Sequence, residues 1–270
     1  MPLYAIDGTY SEQKHRSNVY YFAKRYRDPG GRVPVYYSGP GTPSASAGLG
    51  IAGALFGTGS RRIAEQIVER IGEHRRHDMN SPIDIIGFSR GAAIANEVAW
   101  LLGTKGIVRE RRDDTVIRDV PSIRFLGLFD PVHSMGFPMP TFSGPIFLGN
   151  RRWCASKIPD NVKTSVAIYA KDERRELFRP SNLVAPVATR GHFHTRPIQP
   201  GDHSDTGGHI ENNLVLARMA LKVMIHEAVK VDVPVSTEGL ITDAEVAAAR
   251  FQGALRPSAG PGEGRRPFAR

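Results

Sequence analysis

Ile83-Asp84-Ile85-Ile86-Gly87-Phe88-Ser89-Arg90-Gly91 is the stretch on which the fold turns. A short β-type apolar run leads into G-x-S-x-G. Beyond it, Ala92, Ala93, Ile94, Ala95, Val98, Ala99, Leu101 and Leu102 recur at spacings that read as a largely buried helix. This is a strand, a sharp turn and a helix, the arrangement that lifts a serine hydroxyl to the rim of a sheet. Gly87 and Gly91 have a steric reason to flank such a turn, because side chains there would obstruct the cramped backbone of the serine. Ser89 is the candidate nucleophile, and the flanking strand and helix carry more weight than the short motif, which recurs by chance.

Outward from this stretch, strand and helix signals alternate. Residues 3–6 read as a first strand that runs into the turn Asp7-Gly8-Thr9, ahead of a helix over about 17–27. Residues 33–37 form a second strand, which Pro34 marks as an edge or a strand start. A Gly/Ser/Pro-rich loop covers 38–59, and Ser60 caps a helix in which Ile63, Ile67, Val68 and Ile71 share a face. After the serine helix come a charged connection, 105–119, and a buried strand, 123–129, that ends at Asp130-Pro131. Residues 136–153, rich in Gly, Pro and aromatics, resemble an access loop. Further strands follow at 165–170 and 191–198, then a helix at 211–229. Thr242 and Glu245 have capping-box spacing before a last helix over 244–255. The alternation indicates an α/β protein, with a mostly parallel sheet and helices on both faces. It predicts one catalytic domain over 1–255 and a flexible Pro/Gly/Arg tail over 256–270.

Composition narrows the partners. The chain has 270 residues, a formal charge of +9 and a single cysteine. One cysteine, Cys154, excludes an internal disulfide framework and a cysteine-built zinc site, and reads as a packing residue. No apolar run is long enough to span a bilayer, and no basic segment followed by an apolar core marks a secretory signal. The expectation is a protein made in the cytoplasm without a signal peptide. The positive charge suits phospholipid headgroups, nucleic acid or an acidic protein, but no nucleic-acid-binding module accompanies it. Arg61-Arg62, Arg75-Arg76, 109–112, Arg151-Arg152, Arg174-Arg175 and Arg265-Arg266 read mostly as solvated helix ends and loops.

In parallel sheets, chemistry collects beyond the carboxyl ends of the strands. Asp7, Ser89 and Asp130 all stand there. A serine hydroxyl needs a base to take its proton and a third group to orient that base. The order serine, acid, histidine is that of α/β hydrolases, and Asp130 and His203 satisfy it. His203 sits in a polar, glycine-flanked loop, 200–208. Among its rivals, His133 shares the turn of the presumed acid and His192 and His194 alternate on a strand, while His209 remains an alternative base. The set His192, His194, His203, Asp205 and His209 reproduces no helix-borne metal motif, so neither metal nor cofactor is expected. The backbone amide of Arg90 is the first oxyanion donor, and Gly8 or Thr9 supplies the second, with Asp7 holding their turn. Gly8 reads equally well as a tight-turn glycine.

These motifs resemble family 1 of the type VI secretion system phospholipase effectors. The likeness runs from about residue 4 to 223. It takes in Asp7-Gly8-Thr9, Asn18-Val19, the 36–42 block, Gly87-Phe88-Ser89-Arg90-Gly91-Ala92, the 125–132 block, Asp172-Glu173-Arg174-Arg175, Phe178 and Pro180, and the 201–208 block. The resemblance implies an α/β-hydrolase fold, a triad of Ser89, Asp130 and His203, and hydrolysis of phospholipid esters by a toxin delivered into rival cells. It also implies contact with a membrane surface, a secretion apparatus and an immunity protein. The chain is short beside the large effectors, which carry extra membrane-engaging helices. A carboxylesterase or thioesterase acting on soluble acyl substrates, or a non-catalytic binding domain, stands as the alternative.

Overall fold

The computed structural model of the chain describes residues 1–42, 58–110, 116–133, 137–139, 146–148, 156–174, 183–184, 192–208 and 214–251. In chain order its elements begin with β1 (Leu3–Ile6), α1 (Asn18–Arg25), β2 (Val35–Tyr37), α2 (Thr58–His77), β3 (Ile83–Phe88) and α3 (Arg90–Thr104). The strands β4 (Ile107–Glu110), β5 (Val116–Asp119), β6 (Ile123–Phe129), β7 (Phe137–Met139), β8 (Ile146–Leu148) and β9 (Val162–Ala170) follow. The chain then forms β10 (Phe193–Thr195), β11 (Ile198–Gln199), α4 (His203–Gly207), α5 (Leu214–Val229) and α6 (Asp243–Phe251).

The main sheet has the strand order β10-β9-β6-β3-β1-β2, and β11 also pairs with β9. Every pairing in it is parallel. Such a sheet must be covered on both faces, and its strands are accordingly apolar on both. On β1, Tyr4 and Ile6 enter one core with α2 and α3, while Leu3 and Ala5 enter the other with α1 and α5. The central strands divide likewise: Leu126 and Leu128 of β6 face the first core, and Phe125 and Phe129 the second. Phe125 lies parallel to Phe22 of α1, with ring centroids 6.3 Å apart. The expected α/β architecture is the observed one. β2 is an edge strand, as Pro34 suggested.

Local differences have local causes. α2 begins at Thr58, so Ser60 falls inside its first turn and does not precede the helix. The charged connection contains an antiparallel hairpin, β4–β5, on which Arg75 of α2 closes an ion pair to Asp119 at 2.9 Å. β9 starts earlier than residue 165, and the last strand is broken into β10 and β11. The Thr242–Glu245 box forms as expected: the Thr242 amide donates to Glu245 Oε2 at 2.6 Å, and the Glu245 amide to Thr242 Oγ1 at 3.1 Å. Cys154, His209, residues 43–57, most of the 136–153 segment and the 256–270 tail lie outside the described residues.

Candidate active site

Ser89 follows β3 directly and adopts φ 56°, ψ −124°, a conformation that L-residues avoid. Four backbone hydrogen bonds hold it there. Its amide donates to the Phe129 carbonyl at 2.9 Å, and its carbonyl accepts from the amides of Ala92, Ala93 and Val132. The flanking glycines answer a steric demand: a Cβ on Gly87 would stand 2.5 Å from the Gly91 carbonyl oxygen, and one on Gly91 would stand 2.3 Å from that of Asp7. The turn after β6 is strained as well. Asp130 has φ 37°, its amide donates to the Ile168 carbonyl at 2.7 Å, and its side chain is fully buried. Elbow and acid turn are therefore fastened to each other through Phe129 and Val132.

His203 arrives from beyond β9, and it opens a short helix where a flexible loop was expected. Asp202 caps that helix, accepting from the amides of Ser204 and Asp205 at 2.8 and 2.9 Å, and Asp205 Oδ2 accepts in return from the Asp202 amide at 2.9 Å. Two carboxylates just past β9 anchor the segment. Asp172 Oδ2 accepts from the Gly201 amide at 2.9 Å, and buried Glu173 accepts from the His203 amide at 3.1 Å. From α1, Asn18 donates to the carbonyls of Thr206 and Ala217 at 3.0 and 2.9 Å. The imidazole packs on Phe88, with ring centroids 4.8 Å apart, and Phe88 fits between glycines: a Cβ on Gly207 would approach its ring to 2.0 Å, and one on Gly8 to 2.6 Å.

So held, His203 Nε2 lies 2.8 Å from Ser89 Oγ, and His203 Nδ1 lies 2.7 Å from Asp130 Oδ2. The second carboxylate oxygen of Asp130 accepts from the Ala170 amide at 3.0 Å, which fixes the plane of the group. All three side chains are buried, at 4%, 4% and 0% exposure for Ser89, His203 and Asp130, so the contacts are shielded from bulk water. With Asp130 ionised, Nδ1 carries the proton and Nε2 is left as the acceptor for the serine hydroxyl.

Across the elbow, Asp7 organises the 7–9 turn. Its Oδ1 accepts from the Gly8 amide at 2.7 Å, and its Oδ2 accepts from Ser17 Oγ at 2.6 Å and from the Tyr36 hydroxyl. All three donors are neutral, and burial pushes the Asp7 carboxyl above the usual carboxylate range against their pull. The Gly8 amide, one of the two oxyanion donors offered for this turn, is thus occupied by Asp7, which leaves the Thr9 amide. Arg90 is the first residue of α3, where an amide has no intrahelical acceptor. Its guanidinium reaches back to Thr9 Oγ1 at 3.1 Å and links the elbow to the 7–9 turn.

Two of the rival histidines, His192 and His194, pair away from Ser89. His194 Nδ1 pairs with Ser165 Oγ at 2.8 Å and His192 Nε2 with Lys163 Nζ at 3.0 Å, on β9 and its neighbour. Burial lowers the His194 pKa below its ordinary value. Sequence reasoning gave Asp172, Glu173 and Asn18 no role, although all three sit in stretches that carry the family resemblance.

A parallel sheet with a serine elbow, an acid and a histidine at the strands' carboxyl ends is the plan of an α/β-hydrolase-like protein. Residues 108–227 match the family model described as T6SS, phospholipase effector Tle1-like, catalytic domain. The matched stretch contains Asp130 and His203, with Ser89 upstream of it. Among solved structures, an uncharacterized protein from Pseudomonas aeruginosa is similar with a TM-score of 0.50 at 18% identity, over 95% of this chain and 49% of that one. The Tle1 effector bound to the VgrG spike of the type 6 secretion system is similar with a TM-score of 0.50 at 20% identity, over 79% of this chain and 52% of that one. The chain spans about half the length of each, and at these identities the likeness is one of fold. No curated protein matches the sequence significantly.

Proposed function

We propose that the chain is a serine hydrolase that cleaves carboxylic ester bonds of phospholipids through an acyl-enzyme, as an effector delivered by a type VI secretion system. The observation that carries the reaction class is the Ser89–His203–Asp130 hydrogen-bond chain at 2.8 and 2.7 Å. Ser89 Oγ attacks the ester carbonyl carbon while His203 Nε2 takes the hydroxyl proton. The resulting oxyanion accepts from the amides of Arg90 and Thr9. Collapse breaks the bond to the alcohol oxygen, and His203 returns its proton to that leaving group. Water then attacks the acyl-serine with His203 again as base, releasing the fatty acid and restoring Ser89. Asp130 keeps the imidazole in the tautomer that these steps require.

The substrate class is supported by the phospholipase description of the matched family and by the net charge of +9. Delivery is supported by that description and by the similarity to an effector seen on a secretion spike. Among the described residues, no helix is long and apolar enough to cross a membrane. The test compares fatty-acid release from phospholipid vesicles by the wild type and by Ser89→Ala. We expect the variant to lose about 10⁶-fold in kcat and to resist labelling by a fluorophosphonate that modifies the wild type. Equal release by the two proteins would overturn the reading.

A further inference from the structure

Beside the helix that carries His203 lies a cavity of about 810 Å³ that the mechanism above does not use. Lys14, Arg16, Arg25 and Arg218 line it, and no carboxylate is among its described lining residues. Leu214 and Leu221 of α5 give it an apolar side. Two of the cations are already engaged by acids: Lys14 Nζ lies 2.8 Å from Glu12 and Arg218 Nη2 lies 3.4 Å from Glu245.

Arg16 and Arg25 differ. Neither makes an ion pair among the described residues. Among the described residues, half-buried Arg25 reaches only the Tyr21 carbonyl, at 3.3 Å, and stands 5.9 Å over the Tyr21 ring, while its buried Nε has no acceptor. Arg16 is held at φ 50°, a left-handed conformation that its side chain does not favour. Two cations that line one concave site, neither ion-paired among the described residues, repel one another, and an anion relieves that repulsion. None of these residues belongs to the arginine clusters that the sequence marked mostly as solvated helix ends and loops.

We infer that this groove binds the phosphate of an anionic phospholipid, with the headgroup between Arg16 and Arg25 and acyl carbons along Leu214 and Leu221. The inference deepens the reading of the chain as a phospholipase and names the charge class of lipid that it prefers. Groove and reactive centre share a wall. Asn18 lines the cavity and bonds to the Thr206 carbonyl in the His203 helix, and Gly208, the C-cap of that helix, lines it as well. A lipid seated there rests against the element that positions the base.

Binding is measured in the Ser89→Ala protein, so its outcome is independent of whether Ser89 hydrolyses anything; loss of turnover is read in the separate vesicle assay. Co-sedimentation is carried out with vesicles of phosphatidylcholine alone and of phosphatidylcholine containing one-fifth phosphatidylglycerol. We expect at least tenfold tighter binding to the anionic vesicles, and loss of that preference when Arg16→Glu and Arg25→Glu are added. The neutral pair Arg16→Gln and Arg25→Gln, checked with the others for an unchanged thermal transition, should fall between. Inorganic phosphate at millimolar concentration separates the two sources of the anion. Release of the protein from vesicles only at high phosphate supports a lipid that contributes acyl contacts. Full release at concentrations that leave general ionic strength unchanged assigns the groove to free phosphate and overturns the lipid assignment. Equal binding to both vesicle types by the parent protein, or an undiminished preference in the folded charge-reversal variant, would overturn the inference.

Discussion

Two buried aspartates close the carboxyl ends of β1 and β6, the strands on either side of β3, and their partners set them apart. Asp130 faces an imidazole N–H and one amide. The Asp130→Asn change preserves the shape but removes the charge that keeps the proton on Nδ1, so kcat should fall about 10⁴-fold with little change in stability; steady-state kinetics on a soluble ester, beside a thermal melt, checks this. Asp7 faces three neutral donors in a buried turn and holds its proton to higher pH than an unfolded chain would. The folded state therefore binds more protons there than the unfolded state does, and stability from this site is greatest at acid pH. The advantage of the wild type over Asp7→Asn should be largest near the ordinary carboxylate value of about 4 and shrink by about 1.4 kcal/mol for each pH unit until the folded value is passed. Denaturant unfolding of both proteins across pH 4–8 measures the difference, and a difference that grows with pH would contradict this account.

At the scale of elements, the short helix α4 is the part on which the site's geometry depends. It has five residues, too few to be stable alone. Its position comes from side chains elsewhere: Asp172 and Glu173 after β9, Asn18 on α1 and the ring of Phe88. Gly207→Ala puts a Cβ where the Phe88 ring now sits, so the helix must shift and carry His203 with it. We expect a loss of about 1–3 kcal/mol in stability and at least tenfold in kcat/KM, read by unfolding curves and kinetics on one preparation. These supports also explain what the sequence hid. The strand, turn and helix at 83–104 were legible because apolar period and glycine placement are local signals, and chain order offered Asp130 and His203, with His209 left as an alternative base. The bonds from Asn18, Asp172 and Glu173 to distant backbone amides and carbonyls leave no local pattern. The β4–β5 hairpin was obscured because its arginines dominate the composition of a stretch whose apolar residues, Ile107, Val108, Val116 and Ile117, are few.

For the whole molecule, one sheet separates two cores, and the site lies along the edge that both cores support. Phe125 is fully buried in the α1–α5 core and lies parallel to Phe22. Its replacement by Ala should cost about 3–5 kcal/mol and lower the denaturant midpoint in a single transition. Residual activity below that midpoint should remain near the wild-type level, because β6 keeps its backbone pairing on both sides. Loss of activity well ahead of unfolding would show instead that the α1–α5 core tunes the acid turn.

Ser89 and Asp130 both keep positive φ with full side chains attached. Glycine would relax either position, at the expense of the hydroxyl or the carboxylate. On the proposed chemistry, the most durable version of this chain and the version able to open an ester are consequently different sequences, diverging at the two junctions where β3 and β6 end. Variants chosen only for heat resistance should drift toward glycine at those junctions and fall silent, while every version that still turns over substrate must carry the tension at both.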